Sequence, residues 1–191
     1  LKNRYIGLCI LLAMLGAHTG YAATPFAPDA ELLRSLGFYP IDNAQLFPDI
    51  SFVDQNGKEL KISDFYGSVI LLNFWATWCP PCRAEMPSME ELSKKLGNRD
   101  FVMIPINAQE TSESVEKFLE DFGIDFPVYY DFDGSAANKI GIMGLPTSIL
   151  IDRDGTVLAA VIGGVEWNDN DLVAMMEKWT EKTIMDNGKS G

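Results

Sequence analysis

Two cysteines separated by two residues stand in the segment Trp78-Cys79-Pro80-Pro81-Cys82. Cys79 follows an apolar run and opens a stretch with helical patterning, where unpaired amide N–H groups and the positive end of the helix macrodipole both favour a negative sulfur. Such settings lower a thiol pKa from about 8.5 to between about 3.5 and 7.5. Cys79 is therefore the candidate nucleophile. A mixed disulfide formed on it would be resolved by Cys82, which is near enough in sequence to close a small ring. Pro80 and Pro81 restrict that ring and remove two N–H donors. Arg83, one turn beyond Cys79, adds to the stabilisation if its side chain folds back, and is otherwise a solvated cation. Two other readings of the pair exist, a structural disulfide and half of a zinc site. The helix-start setting weakens the first, and missing partner ligands weaken the second.

The remaining inventory is narrow. The chain of 191 residues holds one histidine, His18, and a third cysteine, Cys9. Both lie near the N-terminus, where Lys2 and Arg4 precede an apolar stretch from Ile6 to Leu15 and small residues follow at Gly20, Ala22 and Ala23. That order is the pattern of a secretory signal over residues 1–23, with an uncleaved anchor as the alternative. Cys9 sits inside the apolar stretch and reads as filler, not as a lipidation site. Loss of the segment would leave 13 basic against 27 acidic side chains, a charge of −14, with no histidine and only the Cys79 and Cys82 pair. Ser-His-Asp and Cys-His catalysis, histidine-containing zinc sites and four-cysteine clusters are then excluded, so no metal is expected. The acidic balance and the lack of a basic stripe argue against nucleic acid.

The elements that must position the cysteines read as strands and helices in alternation. Residues 24–44, with Pro25, Pro28 and Pro40 around Leu32, Leu33 and Leu36, read as a linker with one short helix opened by Asp29 and closed by Gly37. Ile50 to Val53 and Glu59 to Ile62 flank an Asn56-Gly57 pair that would supply positive φ angles, giving an N-terminal hairpin. Val69 to Phe74 and Phe101 to Ile106 are continuous apolar runs, as in strands buried on both faces. Met89, Leu92 and Leu96 mark one helix, and Val115, Phe118, Leu119 and Phe122 the inner face of another. Phe126 to Tyr130 reads as a short strand, and Ala136 to Ile140 as a short helix. Strands at Ser148 to Ile151 and Thr156 to Ile162 enclose an Asp-Gly turn, and a last helix turns Leu172, Met175, Met176 and Trp179 inward. The order implies an α/β domain over 45–185, a mixed central sheet with helices on both faces, and a tail over 186–191.

The run from Asn73 to Pro87, NFWATWCPPCRAEMP, together with Gly144-Leu145-Pro146-Thr147, resembles the thioredoxin superfamily and within it the exported TlpA/ResA-type branch. The resemblance spans about Gln45 to Lys182 and implies a thioredoxin-like fold. It implies a redox-active Cys79–Cys82 disulfide, with Cys79 the exposed attacking thiol and Cys82 the buried resolving one. It further implies a cis Pro146 facing the cysteines and a Leu145 backbone that pairs with extended substrate. The residues alone give only a proline that begins a strand. Thioredoxin's buried aspartate is matched here by Asn73, which cannot accept a proton. The branch instead places an acid at Glu85, three residues after Cys82 on the adjoining helix surface, where it would take the proton from Cys82 and raise the thiol pKa values. An ordinary solvated glutamate is the competing reading. The resemblance also implies that Trp75 and Trp78 frame the site, with core and rim packing as the other reading, and that Trp78 and Thr147 join the substrate-binding set. It implies too that Gly163 or Gly164 is the small residue that lets a partner chain approach, a plain turn being the alternative.

The resulting expectation is an exported, periplasmic thiol-disulfide oxidoreductase, soluble or tethered by its N-terminal segment. It would reduce disulfides of client proteins in cytochrome or copper-centre assembly and be re-reduced by a membrane electron donor, with no bound cofactor. A disulfide-forming oxidase of the same fold and a copper-carrying protein using Cys79 and Cys82 are the alternatives. The second lacks a third soft ligand such as histidine.

Overall fold

The computed structural model describes residues 29–41 and 45–181. The expected signal segment, Cys9, His18 and the 186–191 tail lie outside the described residues. In chain order the elements are α1 (Ala30–Ser35), β1 (Tyr39–Pro40), β2 (Ser51–Val53), β3 (Glu59–Lys61), β4 (Val69–Trp75), α2 (Pro80–Leu96), β5 (Phe101–Ala108), α3 (Ser112–Phe122), β6 (Tyr129–Asp131), α4 (Ser135–Ile140), β7 (Thr147–Ile151), β8 (Val157–Ile162) and α5 (Asn170–Trp179), with a 3-10 turn at Ile62–Phe65. None of the described helices is long and apolar enough to cross a membrane.

All eight strands form one mixed sheet in the order β1-β8-β7-β4-β5-β6-β2-β3. The central strands β4, β5 and β6 run parallel, while β7 and β8 on one side and β2 and β3 on the other pair antiparallel. Every side chain of β4 is buried, as its unbroken apolar run requires. Val69, Leu71 and Trp75 face a core layer shared with α1, α2, α3 and α5. Ile70, Leu72 and Phe74 face the opposite layer, which takes in Ile62 of the 3-10 turn and Ala136 of α4. Helices thus cover both faces of a thioredoxin-like sheet.

Four expectations change. Residues 29–41, read as linker, belong to the packed domain: Leu33 and Phe38 are buried, Tyr39 and Pro40 pair with β8, and Asp29 accepts a 2.9 Å hydrogen bond from Trp179 Nε1. The short apolar pattern was too brief to reveal a partner that lies at the other end of the chain. The β2–β3 turn does not use two positive φ angles, because only Gly57 adopts one, at 80°. Gly57 N–H closes on the Asp54 carbonyl at 3.0 Å, and Asp54 Oδ1 takes the Asn56 and Lys58 N–H groups at 2.8 and 2.9 Å. The strand expected from Phe126 begins only at Tyr129, past Pro127, which has no N–H for the ladder. Phe122 is 54% exposed instead of inward.

Candidate active site

Cys79 is the N-cap residue of α2 and Pro80 its first helical residue, a position where a missing N–H leaves nothing unpaired. The cap is made by sulfur. Cys79 Sγ accepts the Cys82 backbone N–H at 3.3 Å while bonded to Cys82 Sγ in a disulfide of 2.06 Å. The amide field expected at a helix start therefore acts on the sulfur expected to carry charge. Both sulfurs are sheltered in this oxidised state. Cys82 has no exposed surface and Cys79 only 3%, less than an exposed attacking thiol implies, whereas the neighbouring Trp78 is 67% exposed. Arg83 does not fold back along the helix, since its guanidinium lies over the Phe122 ring at 4.7 Å and near Phe118 at 5.8 Å. That contact also accounts for the outward turn of Phe122.

Glu85 is a buried acid, with 3% of its surface exposed, and not the solvated helix residue of the competing reading. Its Oε1 accepts from Asn73 Nδ2 at 3.0 Å, and its Oε2 from Val165 N at 3.0 Å and Trp167 Nε1 at 3.3 Å. Burial pushes the Glu85 carboxyl up to about 7, although the bonds from Val165, Asn73 and Trp167 pull the other way. A group poised there both gives and takes a proton near neutrality. It lies three residues beyond Cys82 on the same helix, where side chains are neighbours. Asn73, which cannot itself accept a proton, anchors this acid. Its Nδ2 also reaches Ser148 Oγ at 2.9 Å, and its buried Oδ1 is unpartnered. Amide rotation would offer that oxygen to a protonated Glu85, so one side chain can serve both protonation states. Asn73, Ser148, Val165 and Trp167 were missed as supports of Glu85. They come from β4, β7 and the segment before α5, and no local spacing links them.

The Leu145–Pro146 peptide bond is cis. Pro146 is buried and Leu145 half-buried, packed against the core layer that contains both cysteines. Thr147 is buried, and its hydroxyl donates to the Gly144 carbonyl at 2.7 Å, so it shapes the loop from within. Gly163, at a φ of 112°, donates its N–H to the Pro146 carbonyl at 2.9 Å. Gly164 is the residue that meets the cysteine segment: a Cβ there would stand 3.4 Å from the Pro81 carbonyl oxygen. Trp75 is fully buried with its ring 5.7 Å from that of Phe118, so it supports the site from below. Among the described residues no group of three or more His, Cys, Asp or Glu side chains is arranged to hold a metal ion.

A disulfide at the head of α2, with a buried acid one helical turn beyond it, is suited to thiol-disulfide exchange. Comparison with known proteins agrees. The redoxin family model matches residues 42–176. The sequence is 34% identical to the thiol-disulfide oxidoreductase ResA of Bacillus cereus over 162 residues, 85% of this chain and 90% of that protein. It is 40% identical to ResA of Bacillus thuringiensis subsp. konkukian over 162 residues, with the same 85% and 90% coverage. A solved thiol:disulfide interchange protein of the thioredoxin family from Chlorobium tepidum superposes with a TM-score of 0.59 at 30% identity, covering 70% of this chain and 97% of that one.

Proposed function

This chain belongs to the redoxin family as a ResA-type thiol-disulfide oxidoreductase, and from that premise we propose that it is an exported reductant of client-protein disulfides. In the reduced protein the Cys79 thiolate attacks a client disulfide. A bond forms between Cys79 Sγ and one client sulfur, and the other client sulfur leaves and takes up a proton. Cys82, giving its proton to Glu85, then attacks Cys79 Sγ, releasing the second client thiol and closing the Cys79–Cys82 disulfide. Two electrons have passed from the pair to the client. Re-reduction falls to a membrane electron donor, and the clients suggested by the family resemblance are proteins of cytochrome or copper-centre assembly, whose cysteines must stay reduced in an oxidising compartment.

The observation that carries the reductant direction is the charge around the sulfurs. Strong oxidants of this fold owe their potential to a stabilised reduced form. Here a buried carboxyl lies three residues beyond the resolving cysteine on the same helix, and the cation nearest in sequence, Arg83, is engaged on Phe122. An ionised Glu85 disfavours a thiolate at Cys82, which opposes the helix-terminus effect and makes the dithiol readier to give up its electrons. The equilibrium potential of the Cys79–Cys82 pair against glutathione tests this. A reductant falls near the about −270 mV of thioredoxin, and a value above about −150 mV would make the protein an oxidant.

A further inference from the structure

Ahead of Cys79 the chain turns sharply. Cys79 N–H closes on the Ala76 carbonyl at 3.2 Å, which leaves Thr77 at the corner of the turn with its own N–H outside the sheet ladder. One side chain receives everything Thr77 offers. Glu110 Oε2 accepts the Thr77 N–H at 2.7 Å, and Glu110 Oε1 accepts the Thr77 hydroxyl. Glu110 Oε2 also takes Asn107 Nδ2 at 2.8 Å, from a side chain that is wholly buried. Three donors converge on one group, and a carboxylate is the side chain that accepts without donating.

The segment that delivers Glu110 is itself held in an unusual form. Gln109 adopts a φ of 60°, the single positive value outside glycine among the described residues, and this left-handed step lets the chain leave β5 and turn Glu110 back toward Thr77. Gln109 N–H donates to the Asp131 carbonyl at 3.1 Å, and its side chain lies over the bare Cα of Gly134, where a Cβ would meet Gln109 Nε2 at 2.7 Å. We propose that Glu110 is a positioning residue for Cys79, locking Thr77 and with it the turn that presents the sulfur at the head of α2. The role rests on the reading of Cys79 as the attacking thiol. Glu110 itself acts through Thr77.

The test compares Glu110→Ala, Glu110→Gln and Thr77→Val with the unaltered protein. Two rates are followed: alkylation of Cys79 by iodoacetamide in the reduced protein across pH, and exchange with a small aromatic disulfide. Misplacement of a reacting atom by an ångström costs up to on the order of 100-fold, and the expected loss of exchange rate in Glu110→Ala is about threefold or more, with a shifted alkylation midpoint. Glu110→Gln should recover most of it, because its amide oxygen can take the Thr77 and Asn107 N–H groups while its NH2 donates to the Thr77 hydroxyl. Thr77→Val keeps the N–H bond and should show a smaller loss in the same direction, and it carries the test if Glu110→Ala fails to fold. Losses below about threefold in Glu110→Ala, or in its absence a Thr77→Val indistinguishable from the unaltered protein, overturn the proposal. So does a Glu110→Gln no better than Glu110→Ala. An unaltered protein that alkylates at Cys79 but exchanges no disulfide would defeat the attacking-thiol reading instead, and the alkylation arm would still decide the role of Glu110.

Discussion

At Glu85 burial and hydrogen bonding oppose one another, and burial prevails. With the carboxyl raised from 4.5 to about 7, the native chain holds this proton more tightly than the unfolded chain does. The contribution to stability is complete below about pH 4.5 and disappears as pH climbs through about 7, a swing on the order of 3 kcal/mol at about 1.4 kcal/mol per unit. Urea midpoints of the disulfide form should therefore decline across that window, and Glu85→Gln should flatten this part of the profile. Parallel profiles for the two proteins would place the charge balance elsewhere. The sequence names the cysteines directly, because two sulfurs at that spacing have few other uses. It is silent on the burial of Glu85, since a glutamate in the first turns of a helix between Ala84 and Met86 looks the same whether solvated or enclosed. The enclosure is supplied by Val165 and Trp167, 80 and 82 residues away.

Among the elements, the strands of the central sheet are the most legible. Val69 to Phe74 and Phe101 to Ile106 are apolar without period, as strands covered on both faces must be. The helices are legible through their inner faces, and α5 buries Leu172, Met175, Met176 and Trp179 as its spacing requires. Periodicity misplaces the margin of α3, because at its last turn the apolar Phe122 serves as a platform for Arg83 rather than as core. Cation–π contacts of this exposed kind are worth about 0.5–1 kcal/mol. Arg83→Ala should lower stability by about that amount and leave the potential of the cysteine pair nearly unchanged, since the guanidinium faces the aromatic ring. A marked shift in the potential of Arg83→Ala, read by the same glutathione equilibrium, would restore the arginine to the sulfur's electrostatics.

At the scale of the whole molecule, residues 29–41 behave as a fastening of the fold. Phe38 packs its ring edge-on against Trp167 at 5.9 Å, and Trp167 in turn donates to Glu85. Phe38→Ala should cost about 3–5 kcal/mol, the usual range for emptying a buried aromatic site, and should disturb the Glu85 titration as well. Thermal unfolding and a pH series on the same variant would check both, and a loss below about 1 kcal/mol would return residues 29–41 to the status of a linker. The fastening has a second consequence. Asp100 N–H bonds the Thr180 carbonyl and Arg99 the Glu177 carbonyl where β5 begins, so the end of α5, and Asp29 with it, sits at the base of the strands. The sulfurs lie past the far end of β4, seven residues or roughly 23 Å of strand away. Any grip on the polypeptide ahead of Asp29 would take hold at one pole and leave the opposite pole, where the Cys79–Cys82 pair sits, clear of the handle.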